Sequence, residues 1–300
     1  MFKIKNVYGF CHGFNLSVEI ISQILHNRFK FRLSFPSYTH FINNIKTVEE
    51  ERSIRNNMAY QAVFKRYEIK YMMTRKQQKA VLEAMLPYMR LDNFGHTQIR
   101  NVYFDTDNYR LVRRSIEKPS YKEKLRIRSY EKAKAQDKIF VELKKKYDDI
   151  VYKRRESLPY IDLSSWMEKG SNTPFPVDTQ IGREIAYFFT YYQTIEAKVF
   201  LSYEREAFYA LDGSDFRVTF DENILARRED LSLSEEIWGE RLIDQNCVLM
   251  EIKTSGGIPL WMTKVLTQEQ IYKTSFSKYG TAYLNMIYSA EDANRKIFIA

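Results

Sequence analysis

Four short segments of this chain alternate charge with hydrocarbon at a period of two, and this limits how they can fold. In Tyr121-Lys122-Glu123-Lys124-Leu125-Arg126-Ile127-Arg128, strand geometry sends Lys122, Lys124, Arg126 and Arg128 to one face and Leu125 and Ile127 to the other. Phe140-Val141-Glu142-Leu143-Lys144-Lys145-Lys146 sets Glu142, Lys144 and Lys146 against Val141 and Leu143. Leu249-Met250-Glu251-Ile252-Lys253 sets Glu251 and Lys253 against Met250 and Ile252, and Arg66-Tyr67-Glu68-Ile69-Lys70 groups Arg66, Glu68 and Lys70. For any one strand, an ordinary sheet with a solvated face is the plainer reading. Four such faces, mostly cationic, are harder to leave on open surface, where mixed signs limit repulsion. If the strands close into a barrel, the charged faces line its lumen and the apolar faces pack outward against helices.

Further β-like runs at Ile99 to Phe104, Phe200 to Tyr209 and Phe216 to Phe220 are separated by turn-rich loops. Helical patterns run from Thr74, as N-cap, to Met89, with Pro87 ending or kinking the helix, and over Ile181 to Tyr192 and Leu260 to Ile271. The expected class is α+β: an antiparallel β-barrel tunnel with helices packed on the outside. Residues 1–57 lack lasting periodicity and read as an N-terminal extension preceding a domain over 58–300. Met58 is the expected start, and a genuine extension is the alternative; an N-terminal peptide upstream of Met58 in the native protein would decide for the latter.

Charge and composition restrict the chemistry. Lys and Arg number 47 against 38 Asp and Glu, a formal net charge of +9, which calls for an anionic partner: phosphate chains, nucleic acid or an acidic membrane surface. Cys11 and Cys247 give neither a disulfide framework nor a thiolate metal cluster, so a cytoplasmic setting is expected. His12, His26 and His40 precede Met58 and only His96 follows it, which argues against a histidine triad, a His-rich zinc site or a histidine phosphocarrier in the domain. Apolar runs such as Ala186 to Phe189 fall far short of the ~20 residues of a spanning helix. Carboxylates, Lys, Arg and a hard metal remain. Glu251, Glu68 and Glu142 are oxygen ligands of the type Mg²⁺ or Mn²⁺ takes alongside substrate phosphates. A salt-bridge role is the alternative for each; the metal role is preferred for Glu251 and the salt bridge for the other two.

The segments Phe64 to Tyr71, Tyr103-Phe104-Asp105-Thr106-Asp107, Lys122 to Tyr130, Phe140 to Lys146, Tyr203-Glu204-Arg205, Phe216 to Asp221, Leu249 to Lys253 and Phe276-Ser277-Lys278-Tyr279-Gly280 occur in an order that resembles the VTC domain of polyphosphate polymerases. That family lies within the CYTH, or triphosphate tunnel metalloenzyme, superfamily, and the resemblance covers Ala59 to Tyr288. It implies a tunnel barrel whose basic lining holds a nucleotide triphosphate and the polymer. By position, Lys70, Arg126, Arg128, Lys144, Arg205, Arg217, Lys253 and Lys278 resemble its phosphate-binding residues, and Glu251 its metal-binding glutamate. Arg205, Arg217 and Lys278 rest mainly on the resemblance, whereas Lys124 comes from the strand face. The wider superfamily carries Glu-x-Glu-x-Lys near its start where this chain has Arg66-Tyr67-Glu68-Ile69-Lys70, a departure that favours the VTC branch over hydrolytic members.

The expected function is ATP-dependent synthesis of inorganic polyphosphate with a divalent metal, Mn²⁺ or Mg²⁺. Arg126, Arg128, Arg217 and Lys253 are the expected catalytic residues, Lys70, Lys124, Lys144, Arg205 and Lys278 bind phosphate, and Glu251 holds the metal. ATP and inorganic polyphosphate are the expected partners; no nucleic acid is expected, and a membrane-protein partner follows from the resemblance. The alternatives are an inorganic or RNA 5′-triphosphatase of the same fold, or a non-catalytic polyphosphate or nucleic-acid binding module.

Overall fold

A computed structural model describes residues 63–64, 67–117, 119–148, 150–169 and 173–289. The expected boundary at Met58 lies outside the described residues. Twelve strands form one antiparallel sheet: β1 (Val63–Phe64), β2 (Tyr67–Thr74), β3 (Met89–Leu91), β4 (Thr97–Asp105), β5 (Tyr121–Tyr130), β6 (Lys138–Tyr147), β7 (Ile150–Pro159), β8 (Glu196–Ala210), β9 (Arg217–Arg227), β10 (Glu240–Arg241), β11 (Cys247–Thr254) and β12 (Lys273–Thr274). Their order is β1-β7-β6-β5-β4-β8-β9-β11-β2-β12, with β10 on β9 and β3 on β8. Strand β1 lies on one edge and β2 next to the other, yet only residues 65 and 66 separate them. That short link draws the two ends of the sheet together, so the sheet curls into a tunnel although its ladder is not strictly closed.

The helices are α1 (Arg75–Met85), α2 (Arg110–Ile116), α3 (Tyr160–Lys169), α4 (Gln180–Tyr192), α5 (Leu260–Gln268) and α6 (Lys278–Tyr283), followed by a π-helical turn, Leu284–Tyr288. Thr74 caps α1 as expected: its hydroxyl accepts from Gln77 N at 3.3 Å and the Gln77 side chain accepts from Thr74 N at 2.9 Å. The helix ends at Met85, before Pro87. Helices α1 and α5 cover Met73, Val218, Phe220, Val248, Met250 and Ile252 on the outer face, and α3 and α4 cover Val102, Leu125, Ile127, Val141 and Leu143. Those are the apolar halves of the alternating strands, packed outward.

The inner face divides in two. One part is apolar, built from Ile99, Tyr103, Val199, Leu201, Ile224 and Leu249, and against it pack Tyr279, Ala282 and Tyr283 of α6. This last helix therefore sits among lumen-facing side chains rather than on the outside with α1, α3, α4 and α5. Buried Asp105 anchors it, accepting from the Tyr279 hydroxyl at 2.9 Å and from the backbone N–H groups of Leu111 and Val112 at the start of α2. The remainder of the lumen is charged.

Candidate functional site

Strand register carries the charged residues around the lumen from neighbour to neighbour. Lys253 pairs with Glu68 on one side and Arg217 on the other, and Glu251 pairs with Lys70 and Thr219. Asp221 pairs with Arg205, Asn101 with Arg128, Arg126 with Glu142, and Glu142 with Arg155. Residues directly opposite in an antiparallel pair share a face. The nine strand-borne residues singled out in the sequence, Lys70, Lys124, Arg126, Arg128, Lys144, Arg205, Arg217, Glu251 and Lys253, thus face one lumen, and Lys278 of α6 reaches the same space.

Three carboxylates organise the cations. Glu142, 2% exposed, accepts from Arg126 Nε at 2.7 Å and Nη2 at 2.6 Å on one oxygen, and from Arg155 Nε at 2.7 Å on the other, with Lys153 Nζ at 3.2 Å. Arg128 Nε stands 3.9 Å away, bonded instead to Asn101 Oδ1 at 2.9 Å and, through Nη2, to the Tyr203 hydroxyl at 3.1 Å. Burial works to raise the Glu142 pKa, but Arg126, Arg128, Lys153 and Arg155 together hold it well below the usual range. Asp221 takes Arg205 bidentately at 2.5 and 2.7 Å and also pairs with Lys278. Against the cost of burial, these two cations pull it down to about 2. Glu251 receives Lys253 Nζ at 2.7 Å on one oxygen and has Lys70 Nζ at 3.6 Å from the other; despite burial it too is held well below the usual range.

The other singled-out cations have lighter attachments. Lys70 also donates to the Phe276 carbonyl at 2.7 Å, and Lys144 to Glu68 at 3.0 Å. Arg217 lies over the Tyr209 ring, 4.6 Å from its centroid, with Asp92 4.0 Å away. Lys124 donates to Ser277 Oγ at 3.1 Å, and burial, reinforced by Lys70, Lys144 and Lys122, lowers its pKa to about 8. A bound phosphate chain would favour the charged form and raise that value. Compared with a Lys124→Met variant, the wild type is therefore expected to take up more protons on binding tripolyphosphate near pH 8 to 9 and to lose more affinity as pH rises above 8, while at pH 6.5, where Lys124 is already charged, the difference in uptake disappears. Calorimetry in two buffers of different ionisation enthalpy checks this.

Several members of the constellation were not singled out in the sequence. Asp221 ends the run from Phe216, where an aspartate after alternating apolar residues carries no mark of a site. Lys153 and Arg155 lie on β7, a strand that the alternation does not reveal. Tyr103, whose hydroxyl accepts from Arg126 Nη1 at 2.9 Å, reads as core; burial would raise its pKa, yet Arg126, Lys124 and Arg128 bring it down to about 8.

Among the described residues no group of three or more His, Cys, Asp and Glu converges on one point. Glu251 nevertheless suits Mg²⁺ or Mn²⁺, which bind through one or two carboxylates, retained waters and substrate phosphates. Glu68 is close enough for the Glu251 charge to raise its pKa, although Lys144 and Lys253 outweigh that effect and burial to leave it lowered. A divalent ion at Glu251 would compete with Lys253 and Lys70 for the carboxylate. The lumen as a whole presents guanidinium and ammonium donors in excess of carboxylates, which is the donor set for a chain of phosphates.

A family model described as the VTC domain matches residues 65–287. Among solved structures, the chain is similar to a candidate adenylate cyclase from Bacillus halodurans, with 14% identity and a TM-score of 0.45 over 72% of this chain and 95% of that one. It is also similar to a candidate adenylyl cyclase from Hippeastrum whose dominant activity is that of a triphosphatase, with 15% identity and a TM-score of 0.44 over 71% of this chain and 92% of that one. No curated protein matches the chain. No helix among the described residues is long and apolar enough to cross a membrane.

Proposed function

The chain belongs to the VTC-domain family, and on that premise we propose that it is an ATP-dependent inorganic polyphosphate polymerase working within the charged lumen. The observation that carries the reading is the sharing of one lumen by Arg126, Arg128, Arg205, Arg217 and Lys253 with Glu251. In the reaction, a terminal oxygen of the growing chain forms a bond to the γ-phosphorus of ATP, the bridging bond to the β-phosphate breaks, and its electron pair leaves with ADP. No protein nucleophile is required, because phosphoryl transfer depends chiefly on alignment and charge neutralisation. Arg126, locked by Glu142 and Tyr103, and Arg128, locked by Asn101 and Tyr203, present fixed guanidinium edges to the phosphate oxygens. Arg217 and Lys253 act from neighbouring strands, and Lys70, Lys124, Lys144, Arg205 and Lys278 hold the rest of the chain. A divalent ion at Glu251, Mn²⁺ or Mg²⁺, adds neutralisation of phosphate charge when bound.

The arginine at position 66, where hydrolytic relatives of the tunnel superfamily carry a glutamate, supports transfer over hydrolysis. A cytoplasmic location and transfer of the product to a membrane-protein partner belong to the same proposal. The test is incubation with ATP and Mn²⁺ while following ADP and acid-labile polymer together. The two should rise in step and vanish with Glu251→Ala; release of free phosphate without polymer would instead make the chain a triphosphatase, and tight polyphosphate binding without turnover a binding module.

A further inference from the structure

Among the described residues, three buried side-chain atoms lack a hydrogen-bond partner: Ser202 Oγ, Arg217 Nε and Thr219 Oγ1. Two of the three are alternate residues of β9 and so share the lumen face, about 7 Å apart at two strand steps. Their partners in β11 are Lys253 and Glu251 respectively. Thr219 is 0% exposed, and an unsatisfied buried hydroxyl is costly, so its retention at this position calls for an explanation.

The kind of ligand follows from what each atom can do. Arg217 Nε only donates, and a hydroxyl both donates and accepts, so the group that satisfies both must offer acceptors. Glu251 opposite Thr219 does not fill that role, because its oxygens face Lys253 and Lys70 and no hydrogen bond joins it to Thr219. Two linked phosphoryl groups carry acceptor oxygens across such a span. We infer that Thr219 is a further substrate-positioning residue: its hydroxyl, covered while Glu251 is paired with Lys253 and Lys70, donates to an oxygen of the phosphate chain once the chain draws those lysines onto itself beside Arg217. This rests on the reading of the lumen as a phosphate-chain site, and it adds a neutral, directional donor where that reading has only charges.

The test uses the full chain, with inorganic tripolyphosphate as the probe and EDTA present, by calorimetry. Thr219→Val keeps the shape and removes the hydroxyl; it should weaken binding about tenfold, the worth of a hydrogen bond to a charged acceptor, and Thr219→Ser should restore it. Without ligand, the valine variant should melt at the wild-type temperature or above, since an unsatisfied buried group has been removed. Valine binding within twofold of wild type, while Arg126→Ala binds weakly, would overturn the role of Thr219 alone. A valine variant that melts lower and is not restored by serine would make the residue structural and also overturn it. If Arg126→Ala binds as wild type does, the lumen itself is not the phosphate site and both readings fall.

Discussion

Asparagine at Asp221 is expected to destabilise the fold by about 3–5 kcal/mol, because it removes a fully buried carboxylate and leaves two largely covered cations without their counter-charge. Asp221 is 0% exposed and is paired with both Arg205 and Lys278, which join β8 and α6 to β9. For a domain of this size, the loss should lower the unfolding midpoint by roughly 6–20 °C, measured by circular dichroism. Tripolyphosphate should restore more of the midpoint in the variant than it adds to the wild type, since it supplies the missing negative charge. A midpoint within 2 °C of wild type would show that Asp221 is not the counter-ion the geometry makes it. The pH dependence has a defined sign: the folded pKa of about 2 lies below the ordinary 3.8, so this stabilisation is present above 3.8 and is lost as pH falls through about 2.

In the proposed polymerase reaction, Arg126→Ala is expected to lower kcat by about 10²–10³-fold, the usual cost of removing a fixed donor from developing charge. The fold should survive, because Glu142 keeps Lys153 and Arg155 as direct partners and Arg128 close by. Arg126→Lys separates charge from geometry. It keeps the positive charge but loses the fork that now meets Glu142 through Nε and Nη2 and Tyr103 through Nη1, so recovery should be slight. Full recovery by lysine would make charge alone sufficient. Unchanged synthesis in a stably folded protein with alanine at both Arg126 and Arg217 would contradict the site assignment.

What the sequence made legible follows from how each element is buried. Strands β2, β5, β6 and β11 were readable because one face is mostly hydrocarbon, despite Glu123 of β5 and Lys145 of β6, and the other mostly charged, so a period of two still separates them. Strand β7 escaped because Tyr152, Arg154 and Glu156 alternate with Val151, Lys153 and Arg155, leaving polar groups on both faces. Its outward polarity is satisfied by α4 and its cap: Arg154 Nε donates to Glu184 at 3.2 Å, and Thr179 donates to Glu156. Helix α6 is only six residues long, too short for a helical period to show, and its burial depends on the distant Asp105 and Tyr103. The positions of Arg205, Arg217 and Lys278 came from resemblance, since an isolated cation says nothing of the lumen around it. Asp221 gave no signal of its own, because its importance lies in which cations the fold brings to it.

The proposed reaction requires a phosphate chain in the charged lumen with a divalent ion at Glu251. Crystals of the full chain grown with medium-length polyphosphate and Mn²⁺ would test it most directly, by anomalous scattering at the manganese edge. The expected result is a manganese peak beside Glu251 and continuous phosphate density along Arg126, Arg128, Arg217 and Lys253. Phosphate on the outer face, with the lumen residues still paired as described and no manganese near Glu251, would contradict it.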